Sequence, residues 1–134
     1  ISMRKYLSNE KILTYTCYTG SSGPDGQILK KTRQNINWIN LMAYFDSYSE
    51  MTDLFNDYAK VMPPHQITIG VKAGDIKVDP SSTSIEEVAK LCCWNPEKTE
   101  KYGMMLWTLN RDIKAFTGQE DGLWTKTIHQ HLAD

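Results

Sequence analysis

Long apolar runs are missing from this 134-residue chain; none approaches the roughly 20 residues that a membrane-spanning helix needs. Charge of one sign is missing too. Fifteen Lys and Arg stand against 16 Asp and Glu, a net charge of -1, so nothing electrostatic favours a nucleic acid as partner. Cysteine is scarce: Cys17, Cys92 and Cys93 are odd in number, two are adjacent, and none stands at a metal-ligand spacing from a histidine. That pattern argues against a disulfide framework or a zinc site and leaves structural thiols. Histidine offers no metal pair either. His129 and His131 lie two apart on a predicted helix and so face different ways, and His65 sits in a turn behind Pro63 and Pro64. No metal and no cofactor is expected. Residues 20–26 are rich in glycine but lack the Lys-Ser/Thr ending of a phosphate loop. No low-complexity tract or signal peptide is visible, and the start at Ile1-Ser2-Met3 reads as a cut from a longer chain.

What is present is an ordinary globular composition, 40% hydrophobic and 10% aromatic, enough for one domain over residues 1–134 with a sizeable core. Residues 36–46 (INWINLMAYFD) carry Trp, Ile and Tyr in a run that favours a strand over a helix. Apolar side chains on both of its faces suit a parallel strand covered on both sides. Its last residues, Met42 to Asp46, then form a carboxyl end, where α/β folds place their ligands.

The rest of the chain alternates around that strand. Residues 3–9 read as the last turns of a helix, residues 11–18 as a strand, 20–26 as a loop and 27–33 as a short helix. Ser47 with Glu50 fits a capping box. Behind it Met51, Leu54, Phe55, Tyr58, Val61 and Met62 recur at helical spacing until Pro63 and Pro64. Residues 66–73 (QITIGVKA) are a third strand. Ser84 with Glu87 is a second capping box, opening a helix that turns Ile85, Val88, Leu91 and Cys92 inward and stops near Asn95-Pro96. Residues 102–109 (YGMMLWTL) are a fourth strand, apolar on both faces, and a helix from about Gly122 carries Trp124, Ile128 and Leu132 on one face. Strand–helix units in this order predict an α/β fold with a parallel sheet and right-handed crossovers.

Several of these stretches resemble one family in particular. Met42-Ala43-Tyr44, followed by acidic Asp46, is similar to the Met-x-Tyr-Asp motif on the sixth barrel strand of family 18 glycoside hydrolases, the chitinases and endo-β-N-acetylglucosaminidases. Phe45 stands where that family has Asp. Residues 102–112 (YGMMLWTLNRD) resemble its eighth strand, where a Trp floors the sugar subsite beside the cleaved bond. Residues 63–74 (PPHQITIGVKAG) resemble the approach to strand seven, and residues 3–18 the entry into strand five. The resemblance implies the C-terminal half, strands five to eight, of a (β/α)8 (TIM) barrel acting on glycans that contain N-acetylglucosamine, in a secreted or periplasmic setting.

The same resemblance assigns roles. Trp107 becomes a sugar-stacking platform, Tyr44 hydrogen-bonds the reacting N-acetyl group as an assisting catalytic residue, and Met42 packs beneath the sugar. Asp46 stands in for the missing Asp, although strand alternation sends its side chain to the opposite face. Tyr18 and Tyr15 become rim contacts. From the residues alone, Trp107 and Met42 read first as core of a buried strand, and Tyr44 reads equally well as core. The family's strand-four signature, D-x-x-D-x-D-x-E, occurs nowhere in the chain. Glu50, Glu86 and Glu87 belong to first helical turns, and Glu97, Glu100 and Glu120 to polar loops. Without a positioned acid the chain alone is not expected to cleave a glycosidic bond.

Two functions follow: the substrate-binding half of a glycosidase whose acid lies in a missing first half, or a non-catalytic carbohydrate-binding or interaction protein derived from the same barrel. An open α/β domain of other role is the third reading. Four strands alone would expose edges at residues 11–18 and 102–109 and an inner face of large apolar residues. That predicts either self-association or company with a complementary half-barrel.

Overall fold

In a computed structural model, residues 2–8, 10–97 and 99–132 are described. Helix α1 (Ser2–Tyr6) leads into β1 (Thr14–Cys17), α2 (Pro24–Thr32), β2 (Trp38–Leu41), α3 (Tyr48–Tyr58), β3 (Ile67–Lys72), α4 (Ile85–Cys93) and β4 (Gly103–Trp107). A short α5 (Lys114–Thr117) and the terminal α6 (Leu123–Leu132) follow. The strands form one four-stranded sheet in the order β1-β2-β3-β4, and every pair is parallel. The α/β class with strand–helix alternation is the one the sequence predicts.

Local chemistry fixes most element starts. Both capping boxes form: Ser47 and Ser84 each accept an amide hydrogen from the glutamate three residues on, and each glutamate reaches back to the serine's own backbone. At α2, Pro24 sits in the first turn, where its fixed φ suits the helix and its missing N–H costs nothing. The predicted loop at 20–26 is therefore shorter than expected, ending at Gly23. Helix α3 stops at Tyr58; Val61 and Met62 are buried in the turn beyond it, so their helical spacing reflects the core and not the helix. Strand β2 ends at Leu41, well short of Asp46, because the Asp46 N–H turns back to the Ala43 carbonyl ahead of the Ser47 cap.

The faces of the sheet differ in kind. Cys17, Ile39, Leu41, Ile67, Ile69 and Val71 are fully buried, packed in one cluster with Leu29, Phe55, Tyr58, Val88 and Leu91 from the helices. Burial pushes the Cys17 thiol up to about 12, which leaves it a core group and not a nucleophile. The alternate positions Thr14, Thr16, Trp38, Asn40, Met42, Lys72, Met105 and Trp107 are half-buried or exposed, whereas Thr68 and Gly70 in the middle of β3 are buried. Strand 36–46 is thus covered on one side only, which corrects the two-sided burial expected of it. Nor is the open face uniformly apolar. Thr16, Asn40 and Thr68 share one row of the register, and Asn40 Oδ1 accepts from Thr68 Oγ1 at 2.9 Å and from Trp38 Nε1 at 3.2 Å. At Gly70 a Cβ would collide with the Leu41 carbonyl of the adjacent strand, so close strand approach requires glycine there.

Candidate functional site

Four aromatic rings gather where the strands end at their carboxyl side. Trp107 closes β4 directly opposite Lys72, the last residue of β3, and the Ala73 N–H donates to the Trp107 carbonyl at 2.9 Å. Tyr44 follows β2 by three residues. Its ring lies 6.4 Å from that of Trp107, with only 18° between the planes. Trp107 is 48% exposed and Tyr44 3%. The indole thus presents a free face while the phenol lies behind it. The Tyr44 hydroxyl is buried with no hydrogen-bond partner among the described residues, and burial raises its pKa above the ordinary phenol value. Phe45 packs 4.7 Å from Tyr44 and, edge-on, 5.7 Å from Tyr18.

Tyr18 is held from below by Asp25 in the first turn of α2. That carboxylate accepts from the Tyr18 and Thr19 amides and from the Tyr15 hydroxyl at 2.7–2.9 Å. Tyr15 is therefore a structural contact on the helix side, its phenol pushed up to about 12 by the Asp25 hydrogen bond, and not a rim residue. Met42 is half-buried on the open face, its N–H bonded to the Cys17 carbonyl. Asp46 is exposed, in the turn beyond the strand, so the alternation argument about its direction does not apply; its carboxylate bonds to none of the described residues. The structure brings Tyr44, Trp107 and, through Phe45, Tyr18 into one group. Asp46 stays outside it.

Sequence reasoning missed an ionic cluster beside these rings. Lys72 Nζ donates to Ser81 Oγ at 2.6 Å and to Asp79 Oδ2 at 2.8 Å, and Arg111 Nη2 reaches the same Asp79 oxygen at 3.0 Å. One signal existed, since Lys72 is the sole charge in the apolar run 66–73. The Lys72 and Ser81 hydrogen bonds hold the Asp79 carboxyl far below the usual carboxylate range. Asp79 is accordingly ionised at neutral pH and unsuited to donate a proton, a task that calls for a raised pKa. Because its folded pKa is depressed, its stabilising contribution is present above the unfolded value of about 4 and fades as pH falls through the folded pKa. Asp79→Asn is therefore expected to lower Tm at pH 7 and to flatten the fall in Tm between pH 5 and pH 2. Parallel acid-range melting curves for the two proteins would show the idea wrong.

Two half-open hollows lie elsewhere. A cavity of about 410 Å³ is framed by Gly74, Asp75, Ser84, Thr117 and Trp124, and one of about 530 Å³ by Cys92, Cys93, Lys101, Tyr102 and His131. Neither reaches Tyr44 or Trp107; the rings occupy an open surface, as a sheet not closed into a barrel leaves them. His129 and His131 do not pair with each other. His131 Nδ1 instead stands 3.8 Å from Cys93 Sγ, and among the described residues no cluster of three metal-ligating groups occurs. No described helix is long and apolar enough to cross a membrane.

Parallel strand–helix units with aromatic residues at the carboxyl edge define part of a (β/α) barrel. Solved structures give it closer definition. The chain is similar to a family 18 chitinase from Pseudoalteromonas aurantia, with a TM-score of 0.74 at 17% identity over 97% of this chain and 50% of that one. It is also similar to an endo-β-N-acetylglucosaminidase from Cordyceps militaris, with a TM-score of 0.70 at 17% identity over 95% of this chain and 45% of that one. A doubly substituted form of the latter, bound to fucosyl-N-acetylglucosamine-Asn, gives 0.69 at 20% identity over 92% and 44%. The chain has the fold of part of a family 18 glycoside hydrolase barrel and spans about half the length of these structures. No protein-family model and no curated protein matches its sequence.

Proposed function

We propose that residues 1–134 form one unit that supplies the substrate-binding half, strands five to eight, of a family 18-like barrel, and that its ligand is a glycan containing N-acetylglucosamine. The observation that carries this reading is the exposed Trp107 face backed by the buried, unpartnered Tyr44 hydroxyl at the carboxyl edge. A pyranose laid on the indole buries its C–H face there. An N-acetyl group held beside it would give the Tyr44 hydroxyl the partner it lacks. Met42 lies beneath the sugar, Tyr18 and Asp46 border it, and the acid comes from strands outside this chain. The likeness to a protein solved with fucosyl-N-acetylglucosamine-Asn supports the ligand class.

A second reading, a barrel that binds glycans without cleaving them, is favoured by Phe45 in place of the signature Asp. The two part on one assay: joined to a complementary half bearing a strand-four acid, the first turns over a chromogenic N-acetylglucosaminide and the second does not. Both share a binding prediction. Trp107→Ala should weaken N-acetylglucosamine oligomer binding by roughly 1–2 kcal/mol, the scale of a lost aromatic contact. An unchanged calorimetric isotherm would reject the platform role.

A further inference from the structure

We infer that Cys93, with His131 as its base, is a site of thiol–disulfide exchange that takes up a small disulfide as a mixed disulfide. Burial accounts for the other two thiols. Cys17 is fully buried, and Cys92 is 3% exposed, with burial pushing its pKa up to about 11. Cys93, by contrast, is exposed at the end of α4. His131 is exposed in the last turn of α6, and its Nδ1 lies 3.8 Å from Cys93 Sγ, within reach of an S–H donor. The two helices pack against each other, so neither partner depends on a loop for its position. The pair opens onto the hollow of about 530 Å³ that Tyr102 and Gly103 also line. Strand β4 starts there, at the opposite end from Trp107, and the inference is independent of the carbohydrate reading.

The surroundings suit a thiolate paired with an imidazolium. The free carbonyls at the end of α4 would repel an anion on Cys93. Lys101, 8% exposed, answers them, its Nζ donating to the Cys92 and Trp94 carbonyls at 2.6 Å each. An ammonium has three N–H donors, and among the described residues these two carbonyls are its acceptors. One N–H is left for the thiolate or for a polar group of the incoming disulfide. A proton on His131 sits at the carbonyl end of α6, where a helix favours a cation. Of the other titratable groups lining the hollow, Cys92, Tyr102 and Glu100, the last brings a negative charge that Lys101 offsets. In the step, the Cys93 S–H proton passes to His131 Nδ1, in the tautomer whose own hydrogen is on Nε2. The thiolate attacks one sulfur of the disulfide, and a bond to Cys93 Sγ forms as the original S–S bond breaks. The expelled thiolate leaves with the imidazolium proton. One disulfide replaces another, so no further oxidant enters.

Incubation of the reduced 134-residue chain with bis(2-hydroxyethyl) disulfide, a neutral probe, tests the inference, with uptake followed by mass spectrometry. The parent should take up one equivalent, and Cys93→Ser should take up none on the same timescale. At about pH 6.5 an unassisted thiol is almost wholly protonated. There His131→Gln should react roughly tenfold more slowly than the parent, a modest share of what a general base supplies. At about pH 9.5, where an exposed thiol ionises unaided, the two should agree within about twofold. That agreement shows Cys93 equally accessible in both, and circular dichroism of each variant checks that the fold persists. Equal rates at the lower pH would remove His131 as the base and overturn the inference. Uptake by Cys93→Ser at the parent's rate would place the reaction on another thiol. Slowing of His131→Gln at both pH values would reduce His131 to a matter of access. Either result overturns the inference as well.

Discussion

Phe55→Ala is expected to lower the unfolding free energy by roughly 3–5 kcal/mol, the range for truncating a buried phenylalanine. Phe55 is fully buried at the centre of the helix-side cluster. Its ring meets Trp94 edge-on at 5.2 Å and 84°, joining α3 to the end of α4. Removing it loses the transfer energy of the ring and leaves a cavity that elements on several sides would have to shift to fill. A domain of this size is stable by only about 5–15 kcal/mol, so the loss is a large share of the whole. Urea unfolding followed by fluorescence measures it, with Phe55→Leu as a smaller perturbation that retains most of the volume. A change below about 1 kcal/mol, the scale of a surface substitution, would mean that the helices do not pack on the sheet as described.

Most of this architecture could be read from the chain because its signals are local. Ser47 and Glu50, or Ser84 and Glu87, lie three residues apart and answer to each other; the resulting caps are present as expected. Strand ends were less legible. The run 36–46 is apolar throughout, so composition could not say that pairing stops at Leu41 and that Tyr44 and Phe45 occupy a turn. That turn matters, because it lets two consecutive rings join one aromatic group, which strict strand alternation forbids. The Lys72–Asp79–Arg111 cluster was illegible for a different reason. Its members come from β3, from the loop after it and from the turn after β4, and no spacing rule links them. The polar row Thr16–Asn40–Thr68 depended on register, which only pairing fixes.

Produced alone, the 134-residue chain is expected to self-associate, or to bind a complementary half-barrel when one is supplied. Among the described residues, strands β1 and β4 each pair on one side only, so each carries a row of unpaired backbone groups that templates another strand. The open face adds half-buried Trp38, Met42 and Met105 and exposed Trp107 and Tyr102, with Trp38 and Tyr102 stacked at 5.0 Å. That is apolar surface of the kind that drives association. Thr16, Asn40 and Thr68 cross the same face, and they bear on which outcome follows. Thr68 is already buried and donates to Asn40 Oδ1, but random hydrophobic collapse would bury the exposed Thr16 hydroxyl without a partner, at about 1–3 kcal/mol. Ordered edge pairing, β1 of one copy beside β4 of the next, can keep that hydroxyl hydrated or hydrogen-bonded across the new interior. A discrete small oligomer is therefore expected in preference to a broad aggregate. Size-exclusion chromatography with light scattering decides the matter. A stable monomer at high micromolar concentration would show that the edges are protected, and Thr16→Val with Thr68→Val should convert the discrete species into heterogeneous aggregate if the polar row is what keeps the association ordered.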